Sequence, residues 1–514
     1  MERQVVNTSS PSNANARVAA EPPAHKVGKR AIRVAIIGGG FGGIAAAVKL
    51  KQSGQEDFVI FERSAGIGGT WWDNRYPGAE TDAASHMYCY SFARYDWSRT
   101  HVGHSELRDY MEHVVDRFGL RPHFSLKQSI ESVVWNEQRQ HYVVTTHAGE
   151  VHQFEAVISA VGMFSAPRLP DLPGLDDFAG VAVHTATWDD NLTFPGKRVA
   201  VMGTGSSATQ VVSTLAGHAD QVYVFQRQPG WLLPKGDRDL TDLERRIYRL
   251  PAFWRLNRLR LYFRQERREF RGAFFRPGTP ANKRAHATAL ATIDEVFATR
   301  PDLKELVTPN YPFGGKRAVL SSAFYQSLLR DDVDLVPFPV VSCTKTGVVD
   351  STGEERPVDV LVMATGFQAA SYLNGLKVEG RGGIDLHEFW DGEPSAFLGI
   401  TVPGFPNFFI LYGPNTNGGF IIPNLERQAA FAAKEIARLR KPGVREIEVS
   451  ASVTRRYNEW LQKKMIGTAF TATDNYFQSA SGKVVTQWPR TATLYAFLTV
   501  VLRRFSTRKK GAAA

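Results

Sequence analysis

Two glycine-rich turns carry the first chemistry that the residues offer. GGGFGG, Gly38 to Gly43, follows the apolar run Ile32–Ile37 and precedes IAAAVKLKQSG. That order predicts a strand, a tight turn and a helix. GTGSSA, Gly203 to Ala208, repeats the order between RVAVMG and TQVVSTLAG, with Ala208 at the third glycine position. Gly38, Gly40, Gly43, Gly203 and Gly205 let backbone approach a pyrophosphate, whose charge the helix N-terminus attracts. In the second turn Thr204, Ser206 and Ser207 are candidate phosphate ligands, and Thr209 and Gln210 follow on the helix. Each unit closes on another strand, FVIFE ending at Glu62 and VYVFQR ending at Gln226 and Arg227. Glu62 and Arg227 each lie nineteen positions past the end of their turn, Gly43 and Ala208. A carboxylate there accepts hydrogen bonds from ribose hydroxyls and repels a 2′-phosphate; an arginine attracts one. The first unit is therefore expected to hold FAD and the second NADPH.

Between the turns lies FAGVAVHTATWDD, Phe178 to Asp190, in which Gly180, His184 and Trp188 recur every fourth position. The elements that must position these residues are those of an α/β fold with two Rossmann-like dinucleotide-binding domains, FAD and NADPH, and a helical insertion. EAVISAVG and VDVLVMATGF each read as an apolar strand entering a small-residue turn where the chain passes between domains. The expected FAD domain covers 31–165 plus 356–514, and the NADPH domain 166–235 plus 306–355. Residues 236–305 form the insertion, helical in spacing with a break at Pro251.

Bulk properties narrow the function. The chain has 514 residues, 43% hydrophobic and 22% charged, an ordinary globular composition. Its two cysteines, Cys89 and Cys343, form no CxxC, which argues against a redox dithiol or a cysteine zinc site. No metal site is expected. A reducing, cytoplasmic setting fits, with no apolar secretory segment at the N-terminus. Residues 1–30, rich in Ser, Asn, Ala and Pro, read as a disordered tail. The net charge of +11 admits nucleic acid, a membrane surface or an anionic ligand. The insertion, with ERRIYRLPAFWRLNRLRLYFRQERREF, mixes arginine with apolar residues. It fits a nucleic-acid or membrane face, or an amphipathic cap over the site. No nucleic-acid module accompanies it, so the cap is favoured and neither nucleic acid nor membrane is the expected partner. LYAFLTVVLRRFSTRKK near the C-terminus is a short amphipathic element expected to pack on the protein.

With these residues in hand, the chain resembles the type I Baeyer–Villiger monooxygenases, a branch of the class B flavin monooxygenases. Their fingerprint FxGxxxHxxxW(P/D) is matched by Phe178, Gly180, His184, Trp188 and Asp189. GGTWWDNRYPGAETD, Gly68 to Asp82, resembles the family's GG-x-W-x-x-NRYPG-x-x-x-D segment, with Asp73 where many members carry Trp. FQRQPGW, YPFGGKR (Tyr311 to Arg317) and ATGF (Ala364 to Phe367) follow in family order.

The resemblance implies an NADPH- and O2-dependent enzyme that inserts oxygen beside a ketone carbonyl through a C4a-peroxyflavin, giving an ester or lactone, with sulfoxidation as a side activity. It implies that Arg317 sits by the flavin and stabilises a peroxyanion, that Asp82 pairs with it, and that Lys316 meets cofactor phosphate. It places Gly69, Thr70, Trp71 and Tyr88 near the flavin. It gives His184 and Trp188 a part in the cycle through domain geometry rather than contact with substrate. The expected substrate is a hydrophobic ketone, with O2, in a pocket lined from 415–424 and 470–477. The rival readings are an amine- or sulfide-oxidising flavin monooxygenase, which needs no such arginine, and a basic nucleic-acid- or membrane-binding protein without enzymatic activity.

Overall fold

The computed structural model describes residues 31–503 and 507–510; the tail expected at 1–30 lies outside them. The expected strands form two five-stranded parallel sheets. The first contains β1 (Val34–Ile37), β2 (Phe58–Glu62), β3 (Phe124–Leu126), β4 (Ala156–Ser159) and, from far along the chain, Phe408–Ile410. Its order is Phe408–Ile410, β4, β1, β2, β3. The second contains β5 (Val181–His184), β6 (Arg198–Met202), β7 (Gln221–Phe225), β8 (Val333–Val336) and β9 (Val360–Met363), in the order β8–β7–β6–β9–β5. β1, β4 and β9 are buried at every position, as strands covered on both faces must be.

β9 corrects one expected boundary. VLVM was placed with the first domain, in 356–514, yet it pairs with β6 and β5 in the second sheet. An apolar four-residue run satisfies either sheet, and only pairing decides. The chain returns to the first sheet after Met363.

Helix α1 (Phe41–Gln52) and helix Ile421–Leu439 share one core against the first sheet. Its other face packs on a four-stranded sheet containing Ile130–Asn136 and His141–Thr146, where Trp135 and Tyr142 meet Ala35, Ile37 and Val157. In the second unit, α2 (Ser206–Leu215) follows the second glycine turn and buries Ala208, Val211, Val212 and Leu215.

The insertion is helical, as its spacing predicts. α3 (Asp242–Arg249) starts at a capping box of Thr241 and Glu244. α4 (Pro251–Glu269) starts with proline at its first position, where the missing N–H costs nothing. α5 (Pro280–Val296) and α6 (Pro301–Val307) follow. The insertion straddles the molecule. Trp254 of α4 joins the first core, while Ala289 and Ile293 of α5 join the second. Arg258 donates to the carbonyls of His86 and Cys89, the latter at 3.1 Å. Near the C-terminus, α7 (Ala492–Val501) packs its Tyr495 into the first core, and Thr507–Lys510 pairs antiparallel with Glu446–Val449.

Candidate active site

Both glycine turns open at the carboxyl ends of their parallel strands, where open α/β sheets take ligands. Gly40 and Gly205 are the N-caps of α1 and α2, and neither offers a side chain to the first amides. By contrast α3, α5 and α7 are capped by Thr241, Thr279 and Thr491. Uncapped amides at a helix start need another acceptor, and a phosphate is one.

The first turn is tight. A Cβ on Gly43 would lie 1.9 Å from the Gly38 oxygen, and one on Gly38 2.6 Å from the Ala160 oxygen. Gly69 presses against it from above, its Cβ position 2.9 Å from Gly40 Cα. The buried Glu62 carboxylate accepts from the amides of Gly39 at 2.6 Å and Ser64 at 2.8 Å. Each oxygen keeps a further lone pair for a ribose hydroxyl. This cradle fits the ADP part of FAD.

The second turn is looser: a Cβ on Gly203 would lie 3.0 Å from the Ala364 oxygen, and nothing lies within 4 Å of one on Gly205. Arg227, exposed, follows the end of β7, and Lys316 comes close enough for their charges to interact. Burial, then the Arg227 charge, lower the Lys316 pKa below the ordinary lysine value. Lys316 also donates to Gln228 and lies 5.3 Å from the Tyr311 ring centre. Two cations at the ribose end of an uncapped turn fit the 2′-phosphate of NADPH.

The segment Gly68–Asp82 joins the two units. Thr70–Asp73 forms one half-buried helical turn beside the first glycine turn, and Trp71 Nε1 donates to the Tyr88 hydroxyl at 3.2 Å. Asp73 pairs with Arg63 at 2.8 Å, so the departure from Trp becomes a local ion pair. Gly78 lies against α2, where a Cβ would sit 2.4 Å from Thr214 Oγ1. Tyr76 donates to Gln210 Oε1 at 2.9 Å, Gln210 donates to the Glu80 carbonyl at 3.1 Å, and Arg75 pairs with Asp190. Trp188 packs with Phe194, Tyr76 and Ala79 in the second core. The fingerprint segment therefore clamps the first domain's loop onto the second domain.

His184 ends β5, in register with Met363 at the end of β9. Its Nδ1 accepts from the Ala186 amide at 3.0 Å, and its buried Nε2 faces the Gly366 backbone without a full hydrogen bond. Burial lowers its pKa, so the ring is neutral at neutral pH. It lies edge-on to Phe367, in the turn that carries the chain back to the first domain.

Arg317 and Asp82 meet between the two sheets at 2.8 Å. The Arg317 side chain is 43% accessible, with Tyr88, Tyr412 and Tyr476 close enough to act on its charge. Burial is the largest single influence and opposes its charge, but the Asp82 carboxylate, together with Tyr476, Tyr412 and Tyr88, holds the pKa above the ordinary arginine value. Asp82 Oδ1 is buried and has no partner among the described residues. Burial pushes the Tyr88 phenol up to about 12 and raises Tyr412 and Tyr476 as well. All three are neutral donors at neutral pH. Tyr412 sits at φ 59, a region side chains rarely adopt, with its amide held by Gln428 and its hydroxyl by Asn417. Backbone strain held from both ends is a mark of functional positions.

Most expected site residues thus converge, with two corrections. Gln226 turns inward and donates to the Leu306 carbonyl at 2.8 Å. Thr209 is buried, with its hydroxyl on the Ser206 carbonyl at 3.0 Å. Neither side chain is free for a cofactor. Thr204 makes one long bond, 3.4 Å to the Gln228 carbonyl, and Ser206 and Ser207 stand at the start of α2. Trp188 is a core residue, distant in role from any reacting atom. Tyr412 was missed. Tyr476 fell inside the expected pocket segment 470–477 but carried no role.

A profile for flavin-binding monooxygenase-like proteins matches residues 31–239. A Baeyer–Villiger monooxygenase of Streptomyces coelicolor is 36% identical over 474 residues, 90% of this chain and 89% of that one. One from Pseudomonas aeruginosa is 36% identical over 467 residues, covering 90% and 88%. The crystal structure of cyclohexanone monooxygenase from Rhodococcus sp. Phi1 bound to NADP+ is similar with a TM-score of 0.85 and 30% identity, over 94% of this chain and 99% of that one.

Proposed function

The chain belongs to the Baeyer–Villiger branch of the flavin-binding monooxygenases, and from that premise we propose how its residues act and on what. When bound, FAD reduced by NADPH supplies the oxygen-activating chemistry that inserts one atom of O2 beside a ketone carbonyl. Arg317 holds a permanent positive charge in the space between the two sheets. Negative charge that develops there is stabilised without reorganisation, because Asp82 already fixes the guanidinium. Tyr88, Tyr412 and Tyr476 stay protonated: Tyr412 gives its proton to Asn417 and presents its ring, while Tyr88 and Tyr476 can donate into that space. Gly38–Gly43 and Glu62 hold FAD, and Arg227 with Lys316 selects NADPH over NADH. His184 and Trp188 are positioning residues: they keep the second domain in register with the Gly68–Asp82 segment.

The substrate class we infer is an apolar ketone. The aromatic wall of Tyr88, Tyr412 and Tyr476 carries that reading, because around Arg317 it offers apolar ring faces and neutral donors. Sulfides are expected as secondary substrates. The observation that carries the whole assignment is the Arg317–Asp82 pair, with its partnerless carboxylate oxygen, lying between two uncapped glycine turns. The test is NADPH oxidation under air by FAD-loaded protein with a panel of cyclic, linear and aryl ketones, scored for esters by mass spectrometry, with NADH in parallel. Ester formation that prefers NADPH is expected. Sulfoxide as the sole product, with ketones untouched, would overturn the ketone reading and leave the cofactor assignment in place.

A further inference from the structure

Helix α4 has two apolar faces. Trp254 and Arg258, four positions apart, face the first domain. On the outer side Phe253, Leu256, Leu259 and Phe263 are between 49% and 64% exposed. Leu256, Leu259 and Phe263 recur at the three- and four-residue spacing that makes a single stripe. Arg255, Arg260 and Arg267 flank it, all exposed and with no carboxylate partner among the described residues. Next to α4 stands the start of α7. Tyr262 meets Thr493, hydroxyl to hydroxyl, at 2.8 Å, and Glu266 accepts from the amides of Ala492 and Thr493 at 2.8 and 3.1 Å. α7 adds Phe497 and Val500, at 59% and 60% exposure.

An apolar stripe of this size on a monomer calls for a partner. Charge decides which one. A two-fold contact with a second copy would bring arginine against arginine. The two carboxylates of α4 give no relief, since Glu266 caps α7 and Glu269 is buried. The stripe is also a ridge on one helix rather than a groove for a peptide. Apolar side chains flanked by unpaired arginines match the boundary between acyl chains and acidic headgroups. Among the described residues no helix is long and apolar enough to cross a membrane, so the contact is with its surface.

We propose that the outer face of α4, extended by α7, docks the enzyme on the surface of anionic phospholipid membranes. The inference is independent of which ketone is oxidised. It is tested by co-sedimentation of the FAD-loaded, full-length enzyme with vesicles of phosphatidylcholine containing a minority of phosphatidylglycerol, or of phosphatidylcholine alone, at low salt. The wild type should sediment with the anionic vesicles and be released by salt. L256S/F263S and R255E/R260E should each weaken binding at least about tenfold. Flavin absorbance and NADPH oxidation in free solution should stay unchanged in both, which separates lost docking from lost folding. Failure of the wild type to sediment with anionic vesicles would overturn the proposal. So would equal sedimentation of wild type and variants, or equal binding to both vesicle types. A dimer in light scattering that L256S/F263S dissolves, without vesicle binding, would assign the face to a second copy instead.

Discussion

The two glycine turns share a sequence plan and differ in how closely the protein surrounds them. Around Gly38–Gly43 the space is filled: Ala160 stands behind Gly38, Gly69 presses on Gly40, and Glu62 is bonded to the amide of Gly39. Around Gly203–Ala208 the fit is looser: a Cβ on Gly203 would lie 3.0 Å from the Ala364 oxygen, and one on Gly205 would touch nothing. The first is built for a ligand that stays. The second is built for one that arrives, is recognised by two cations at its far end and leaves. One fold thereby separates a resident cofactor from a consumed one through the packing around a turn rather than through the turn itself.

That contrast breaks most visibly at the glycines. Gly43→Ala would place a methyl 1.9 Å from the Gly38 oxygen. The protein is expected to purify nearly colourless, with FAD binding weakened at least about a hundredfold. Gly205→Ala should keep its flavin and raise the KM for NADPH no more than severalfold. A yellow Gly43→Ala protein, or a colourless Gly205→Ala one, would reverse the ranking of the two turns.

Arg317 lies between the turns and belongs to neither. Arg317→Ala should lower ester formation about a hundredfold or more. Reduction of the flavin by NADPH should continue, and the oxygen should be released as peroxide. Arg317→Lys keeps the charge but not the planar fork, so partial activity is expected. Ester yield per NADPH reads both, and full coupling in Arg317→Ala would remove the arginine from the chemistry.

At the open turn, loss of one charged hydrogen bond to the 2′-phosphate is expected to be worth about 1.5–3 kcal/mol. Arg227→Ala should therefore raise the KM for NADPH by roughly ten- to a hundredfold and leave that for NADH and the flavin spectrum unchanged. A smaller effect is expected where the turns are held together. His184→Ala should lower turnover severalfold with FAD retained, because it loosens the end of β5 next to the crossover turn at Gly366. Unchanged steady-state kinetics would remove His184 from the cycle.

How far the residues alone carried this picture differs by region. Parallel strands buried on both faces leave unbroken apolar runs, so most of both sheets and both turns were legible. The sheet to which VLVM belongs was not, since pairing is a long-range fact that a four-residue run does not encode. The directions of Gln226 and Thr209 were also hidden. Thr209 follows the second turn and Gln226 ends the next strand, but the carbonyls of Ser206 and, 80 residues away, Leu306 take their polar atoms. Arg317 and Asp82 were found through motifs, whereas Tyr412 gave no signal, because its strained backbone is visible only in three dimensions. The arginines of the insertion were legible as charge, yet only the structure divides α4 into a packed face and an outer one.

The finest distinction between the turns lies in Lys316. Burial and Arg227 hold its pKa below that of an ordinary lysine, so it loses its proton earlier as the solution becomes alkaline. A guanidinium does not titrate in this range. Below the Lys316 pKa two cations meet the 2′-phosphate; above it one does. NADH has no such phosphate and gains nothing from either. The ratio of the KM for NADPH to that for NADH should therefore rise severalfold as pH climbs through the alkaline range, before an ordinary lysine would lose its proton. In Lys316→Arg the ratio should stay flat and low, and in Lys316→Met flat and high. FAD affinity should be level across the same range in all three, because no lysine or histidine contacts the first turn's glycines or Glu62 among the described residues. A wild-type ratio as flat as that of Lys316→Arg would take Lys316 out of cofactor selection and leave Arg227 to do it alone.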